Sequence, residues 1–329
     1  MSEVAPCCAN SRASALVLTD GYYHFKGRPT FPSSFVWMPQ DDKLHAAYGE
    51  IGGTYISPAQ LRPGGAGAKI RYRPQGPSEA SGYVFLGHSR MPEWVLRKHR
   101  AIGVGSRHFT AYDIDHPATR KVWRELLAKA VPKFAGRKVR QSGYLLANEP
   151  HWFSATGQWD TGKVSDYTRA KLRIWLKEKH KTIAVLNALW GTEFASFAEV
   201  SINVPIDTKL RGTPIWYDWC RFNMHRVMEW FSFLKAEIRR HDKDGKVHIK
   251  LIPSHFSHGL RSHGLDFEKL VQFQEIIGCD AKIINSPTRV TKDDWSDRHA
   301  CDWRNLAMPY DFSGQSARRN CCSTVSFMA

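Results

Sequence analysis

At 329 residues, 42% of them hydrophobic and 12% aromatic, with 12 Trp, 17 Phe and 11 Tyr, the chain can bury one large core and still line a cleft with rings, so disorder throughout is excluded. A formal charge of +16, from 47 Lys+Arg against 31 Asp+Glu, would draw polyanions to the surface. The basic residues are scattered, however, as in Lys171, Arg173, Lys177, Lys179 and Lys181, which read as solvated helix faces and not as a nucleic-acid arm.

Residues 1 to about 81 are rich in Gly, Pro and Ser, with short β-type runs at Tyr22–Phe25, Phe35–Met38 and Thr54–Ser57; they form an N-terminal segment whose strands are hard to place. From Gly82 the pattern sharpens. Tyr83–Gly87 reads as a buried strand, and Pro92–Leu96 as the start of a short helix. Asp115 is placed to cap a helix over Pro117–Ala130, with Val122, Trp123, Leu126 and Leu127 on one stripe. Gly143–Ala147 is a continuous apolar strand that ends at Asn148-Glu149-Pro150. A helix opening at Ser165 or Asp166, a short one over Ile183–Leu189, and a long one over Trp216–His241 follow. Val247–Ile252 and Ile276–Asp280 complete the strands. Apolar strands alternating with helices predict an α/β fold with a parallel sheet covered on both faces.

No apolar run approaches the ~20 residues of a membrane span, and the first residues lack the regions of a signal peptide. The seven cysteines, at 7, 8, 220, 279, 301, 321 and 322, contain no C-x-x-C pair and no zinc-ligand cluster, and their odd number argues against a full disulfide set. The expectation is a soluble, cytoplasmic protein with no metal, no cofactor, no nucleic-acid partner and no membrane partner.

In a parallel barrel the loops at the C-terminal ends of the strands converge on one mouth. Glu149 stands at such an end, where an ionisable side chain after five apolar residues is either a catalytic group or a cap on a neighbouring helix. Asn148 could hydrogen-bond a sugar hydroxyl while Glu149 protonates a leaving oxygen, and His151 and Trp152 add a donor and a flat apolar face. Trp152 reads equally as ordinary loop packing.

Asn148-Glu149-Pro150 after an apolar strand resembles the fourth-strand signature of clan A glycoside hydrolases, in which the Glu is the acid/base of a retaining mechanism. Leu172–His180, Leu186–Phe194 and Tyr217–Phe222 look like the corresponding segments of family 42 β-galactosidases. Pro92-Glu93-Trp94 and Gly105–His108 are similar to that family's third-strand region. The resemblance covers about residues 82–285. It implies a (β/α)8 TIM barrel, with residues 82–312 as the catalytic domain, and a carbohydrate as substrate. Glu149 would be its acid/base and Asn148 its sugar contact. Trp190 would be a wall of the sugar subsite, with core packing as the alternative, and Arg107 would be a substrate-binding arginine, with an ordinary surface position as the alternative.

The family's nucleophile is a Glu ending the seventh strand. The last Glu here is Glu275, before the sixth-strand candidate, so the nucleophile is expected to be missing. Residues 313–329 carry no strand or helix period and read as a truncated or out-of-frame tail, leaving the barrel incomplete at its C-terminal end. Open edges of that kind would be covered by association, so a homo-oligomer is expected. Asp280 is a candidate substrate contact at a strand end, a structural role being its alternative. Three readings stay open: a retaining hydrolase of β-linked galactosides or related glycans, a carbohydrate-binding remnant without turnover, and an agarase-like clan A hydrolase of an anionic polysaccharide.

Overall fold

The computed structural model describes residues 17–19, 22–25, 27–29, 51–63, 81–104, 109–110, 112–157, 160, 162–252 and 261–279. Strands β1 (Val17–Thr19), β2 (Tyr22–Phe25) and β3 (Arg28–Pro29) form a small antiparallel sheet, with Leu18 opposite Tyr23 and Phe25 opposite Arg28. The principal sheet has five parallel strands: β4 (Ile51–Ile56), β5 (Ser81–Leu86), β6 (Tyr144–Asn148), β7 (Val247–Leu251) and β8 (Ile276–Cys279). Their spatial order, β4-β5-β6-β7-β8, is their chain order. A doubly wound sheet would reverse direction at a switch point, whereas a barrel advances by one strand at every crossover. The described strands are therefore an open portion of a (β/α)8 barrel. The expected strand at Phe35–Met38, and residues 280–329, lie outside the described residues.

Buried-on-both-faces strands explain the apolar runs: all of Tyr144–Ala147 and all of Val247–Leu251 are buried. Gly143 opens β6 with φ 87°, and a Cβ there would stand 2.7 Å from the Lys246 carbonyl oxygen, so only glycine fits.

The helices are α1 (Glu93–Lys98), α2 (Pro117–Ala130), α3 (Asp166–His180), α4 (Ile183–Trp190), α5 (Pro214–His241) and α6 (Phe267–Phe273). Ser165, Thr182 and Thr213 cap α3, α4 and α5 through side-chain oxygens that accept from backbone N–H groups. The cap of α2 corrects the sequence reading. His116 accepts from the Ala118 N–H at 3.0 Å, while the Asp115 carboxylate is turned to Arg226 on α5. Among the described residues no helix is long and apolar enough to cross a membrane.

Helix α5 joins two apolar clusters. Its later half, Val227, Trp230, Phe231, Leu234 and Ile238, packs with α2 and the sheet in the barrel core. Its first turns, with Trp216, Trp219 and Phe222, pack against Leu172 and Leu176 of α3 and Leu186 and Trp190 of α4.

Candidate active site

The register of β6 on β7 runs Tyr144 to Val247, Leu145 to His248, then Ala147 to Ile249 and Asn148 to Lys250. Leu146 is the extra residue of a bulge. A bulge re-aims everything after it, here the two residues at the barrel mouth. The carbonyl oxygen of Leu146 accepts from the imidazole of His88, just beyond β5, at 2.6 Å. A carbonyl only accepts, so Nε2 of His88 carries the proton and Nδ1 accepts from the Tyr112 hydroxyl at 3.0 Å, which itself accepts from the Trp123 indole N–H at 3.0 Å. Burial pushes His88 down to about 4, even against its bond to the Leu146 carbonyl, so the ring is a neutral brace under the rim.

Glu149 follows directly. Its φ of 49° is in the left-handed region, disfavoured for a residue with a Cβ. The twist is pinned from β7: the Glu149 N–H donates to the Lys250 carbonyl oxygen at 2.8 Å, and the Lys250 ammonium stands 3.6 Å from a Glu149 carboxylate oxygen. The Glu149 side chain is 41% exposed and that of Lys250 only 11%, so the carboxyl is the more open to solvent of the two.

The loop after Pro150 is tied to the segment that leads into α6. Trp152 N–H donates to the His263 carbonyl at 2.8 Å and Ser154 N–H to the Ser262 carbonyl at 3.0 Å. Asn223 of α5, fully buried, locks the pair: its amide nitrogen is 2.9 Å from the Trp152 carbonyl, 3.3 Å from Ser154 Oγ and 3.4 Å from the Ser262 carbonyl. Its oxygen accepts from Arg226 Nε at 2.9 Å, and Arg226 reaches Asp115 at 2.8 Å. Asp115 also accepts from Thr168 at 2.7 Å and pairs with Lys171 at 3.1 Å. Burial opposes its charge, but Arg226 and Lys171 outweigh burial and hold its carboxyl below the ordinary range. Asp113, accepting from Ser165 Oγ at 2.5 Å, is pushed the other way, up to about 6, by burial and then by the neighbouring Asp115 charge.

The sequence profile of glycoside hydrolase family 42, described as beta-galactosidase, matches residues 79–313. The chain belongs to this family. Among solved structures, that of apo exo-carrageenase GH42 from Bacteroides ovatus is 32% identical with a TM-score of 0.83, covering 95% of this chain and 44% of that one. The β-galactosidase of the psychrophilic Marinomonas ef1 is 14% identical, TM-score 0.56, covering 82% and 46%, and that of Bacillus circulans sp. alkalophilus is 18% identical, TM-score 0.53, covering 80% and 42%. The last two bear on fold alone. The chain thus spans less than half the length of these solved relatives. No curated protein sequence matches it.

Within this family 42 barrel, Asn148 and Glu149 share the rim with Lys250. Trp152 does not open to it. It is 2% exposed, with Phe109 and Phe231 against its ring at centroid distances of 4.9 and 5.9 Å, so no face is left for a sugar. Trp190 is 8% exposed in the second cluster, and its indole N–H donates to buried Asp218 at 2.9 Å. Both rings are buried in apolar surroundings, as the packing alternative given for each describes. Arg107 and Asp280 lie outside the described residues. Glu275 precedes β8 and so occupies the opposite end of the sheet from Glu149; there it pairs with Lys235 at 2.5 Å and Arg239 at 3.0 Å and accepts from the Val247 N–H at 2.8 Å.

Sequence reasoning missed Lys250, Asn223 and the Asp113–Asp115–Arg226 set. Lys250 carried a signal: a cation near the end of an otherwise buried strand invites the same question as Glu149. The others had little, since beyond the local Asn223–Arg226 and Asp113–Asp115 pairs their partners are 39 to 111 residues away in the chain.

Proposed function

We propose that this chain carries the acid/base half of a glycoside hydrolase site for β-linked galactosides or related glycans, with Glu149 as proton donor and Asn148 as a sugar contact. The observation that carries the reading is Glu149 itself: a half-exposed carboxyl in a disfavoured backbone conformation, pinned by β7 at the end of a bulged barrel strand. Such strain holds only where surrounding structure enforces it, and it aims the carboxyl at the mouth. In the reaction, Glu149 gives its proton to the departing glycosidic oxygen and then takes one from water as the glycosyl group is released. A retaining double displacement also needs a nucleophilic carboxylate roughly 5 Å away across the bond. Glu275 is at the wrong end of the sheet for that role, so the partner carboxylate belongs outside the described residues.

Two observations refine this. The 32% identical exo-carrageenase, together with the +16 charge, favours a galactan bearing sulfate groups over a neutral one. The position of Glu275, at the opposite end of the sheet from Glu149, keeps a second reading open, sugar binding without turnover.

The test is hydrolysis of an aryl β-galactoside and of galactan oligosaccharides by the chain and its Glu149→Gln variant. General-acid loss should lower turnover of the oligosaccharides by about 10²–10⁴ and that of the aryl substrate, whose leaving group needs little protonation, far less. Equal activity of variant and wild type removes Glu149 from the mechanism. Sugar binding without turnover by the folded chain selects the second reading.

A further inference from the structure

We infer that Asn223 is a positioning residue for Glu149: its side-chain amide holds the loop after β6 against the segment before α6 and so fixes the backbone that presents the carboxyl. The inference rests on the glycosidase reading and deepens it. Arg226 Nε can only donate, so the atom of Asn223 that meets it at 2.9 Å is Oδ1, and Nδ2 turns to the carbonyls of Trp152 and Ser262. Arg226 is in turn held by Asp115 at 2.8 Å, both side chains being buried. The direction of the amide is thereby set from behind. Gly264 leaves the room in front: its φ is 78°, and a Cβ there would stand 2.9 Å from Asn223 Nδ2.

The left-handed backbone at Glu149 persists only where the chain around it is held. On the β7 side, the Glu149 N–H donates to the Lys250 carbonyl at 2.8 Å. Beyond Pro150 and His151, Trp152 is held twice, its N–H donating to the His263 carbonyl at 2.8 Å and its carbonyl accepting from Asn223 at 2.9 Å. Ser154 continues the clamp. Its Oγ accepts from the Trp219 indole N–H at 2.7 Å, and its carbonyl accepts from the Ile206 N–H at 2.7 Å. Asn223 binds the loop and the segment at once from the long helix, so one substitution there frees each from the other.

The rate test compares kcat for galactan oligosaccharides with kcat for an aryl β-galactoside, whose leaving group needs little protonation. Asn223→Ala should lower the first by about tenfold to a hundredfold with KM little changed, and the second far less. Joined to Glu149→Gln, it should lower oligosaccharide turnover no further than Glu149→Gln does alone. Equal losses on both substrates, or losses that multiply with that of Glu149→Gln, would mark a merely structural residue and overturn the inference. Hydrogen exchange reads the same clamp without turnover, and decides where the chain has none. In the wild type, the amides of Glu149, Trp152 and Ser154 should open together with equal protection. In Asn223→Ala, the Glu149 amide should lose about tenfold more protection than that of Ile249 in β7. A Glu149 amide unmoved in the variant overturns the inference. So does one that opens independently of Trp152 in the wild type, a result that needs no folded variant. Should Glu149→Gln leave oligosaccharide turnover unchanged, the glycosidase reading falls and the inference with it; an impaired Glu149→Gln beside an Asn223→Ala with the wild-type ratio of rates removes the inference alone.

Discussion

The side-chain amide of Asn223 donates to the backbone carbonyl of Trp152 across 2.9 Å, fastening the loop that leaves Glu149 to the middle of α5. Asn223→Ala would strand the Trp152 carbonyl and Arg226 Nε without their buried partner. Destabilisation of roughly 2–4 kcal/mol is expected, measured by urea unfolding. A loss below about 1 kcal/mol would show that the backbone bonds between Trp152, Ser154 and the Ser262–His263 segment suffice alone.

Asp113 gives a pH dependence with a definite sign. Its folded carboxyl is pushed up to about 6, so between about pH 4 and pH 6 the native state holds a proton that the unfolded chain has released. Its contribution is therefore full at low pH and is lost as pH rises through 6. Asp113→Asn, which keeps the shape and the acceptor for the Asp115 N–H and turns an amide donor toward Ser165 Oγ, removes this titration. Unfolding midpoints taken from pH 4 to 7 should show the wild type losing stability relative to the variant as pH rises. Parallel curves would place the Asp113 proton elsewhere.

His88 titrates in the opposite sense. A ring pushed down to about 4 stays neutral in the native state while the unfolded ring charges near 6.5, so its contribution, present above 6.5, is lost as pH falls toward 4. Histidine NMR should find the His88 ring as the Nε2–H tautomer, unchanged from pH 7 down to about 5. An imidazole titrating near 6.5 at this position would contradict the burial of the ring and the bond that its Nδ1 accepts from the Tyr112 hydroxyl.

Trp190→Phe keeps the ring in the second cluster but deletes the indole N–H to Asp218, a fully buried carboxylate that also pairs with Lys179 and His180. Stability should fall by about 1–3 kcal/mol. Affinity for a galactobiose should not change. A selective loss of sugar binding, with stability intact, would return Trp190 to the cleft.

What the sequence revealed and what it hid separate along the range of the forces involved. β6, β7 and the long α5 were legible because burial on both faces, or on one stripe, writes itself into neighbouring residues. Glu149 stood out as a candidate because a carboxyl between an apolar strand and a proline breaks that pattern. Asp115 looked like a cap since its local setting fits one; Arg226, 111 residues on, claims its carboxylate instead. Trp152 and Trp190 show the same limit: a ring reads alike whether it walls a cleft or fills a core, and Phe109, Phe231 and Asp218 decide the matter in space. The seven-residue α6 is too short for a helical period to register, and the bulge at Leu146 leaves no mark in sequence at all.

The left-handed backbone at Glu149 has a consequence for anyone who sets out to improve this protein. An L-residue with a Cβ gives up about 1–2 kcal/mol there, and glycine or asparagine would recover much of it. A library sorted for heat resistance alone would therefore enrich Gly and Asn at 149. Its hardiest clones would be the ones that had lost the carboxyl we propose as the acid.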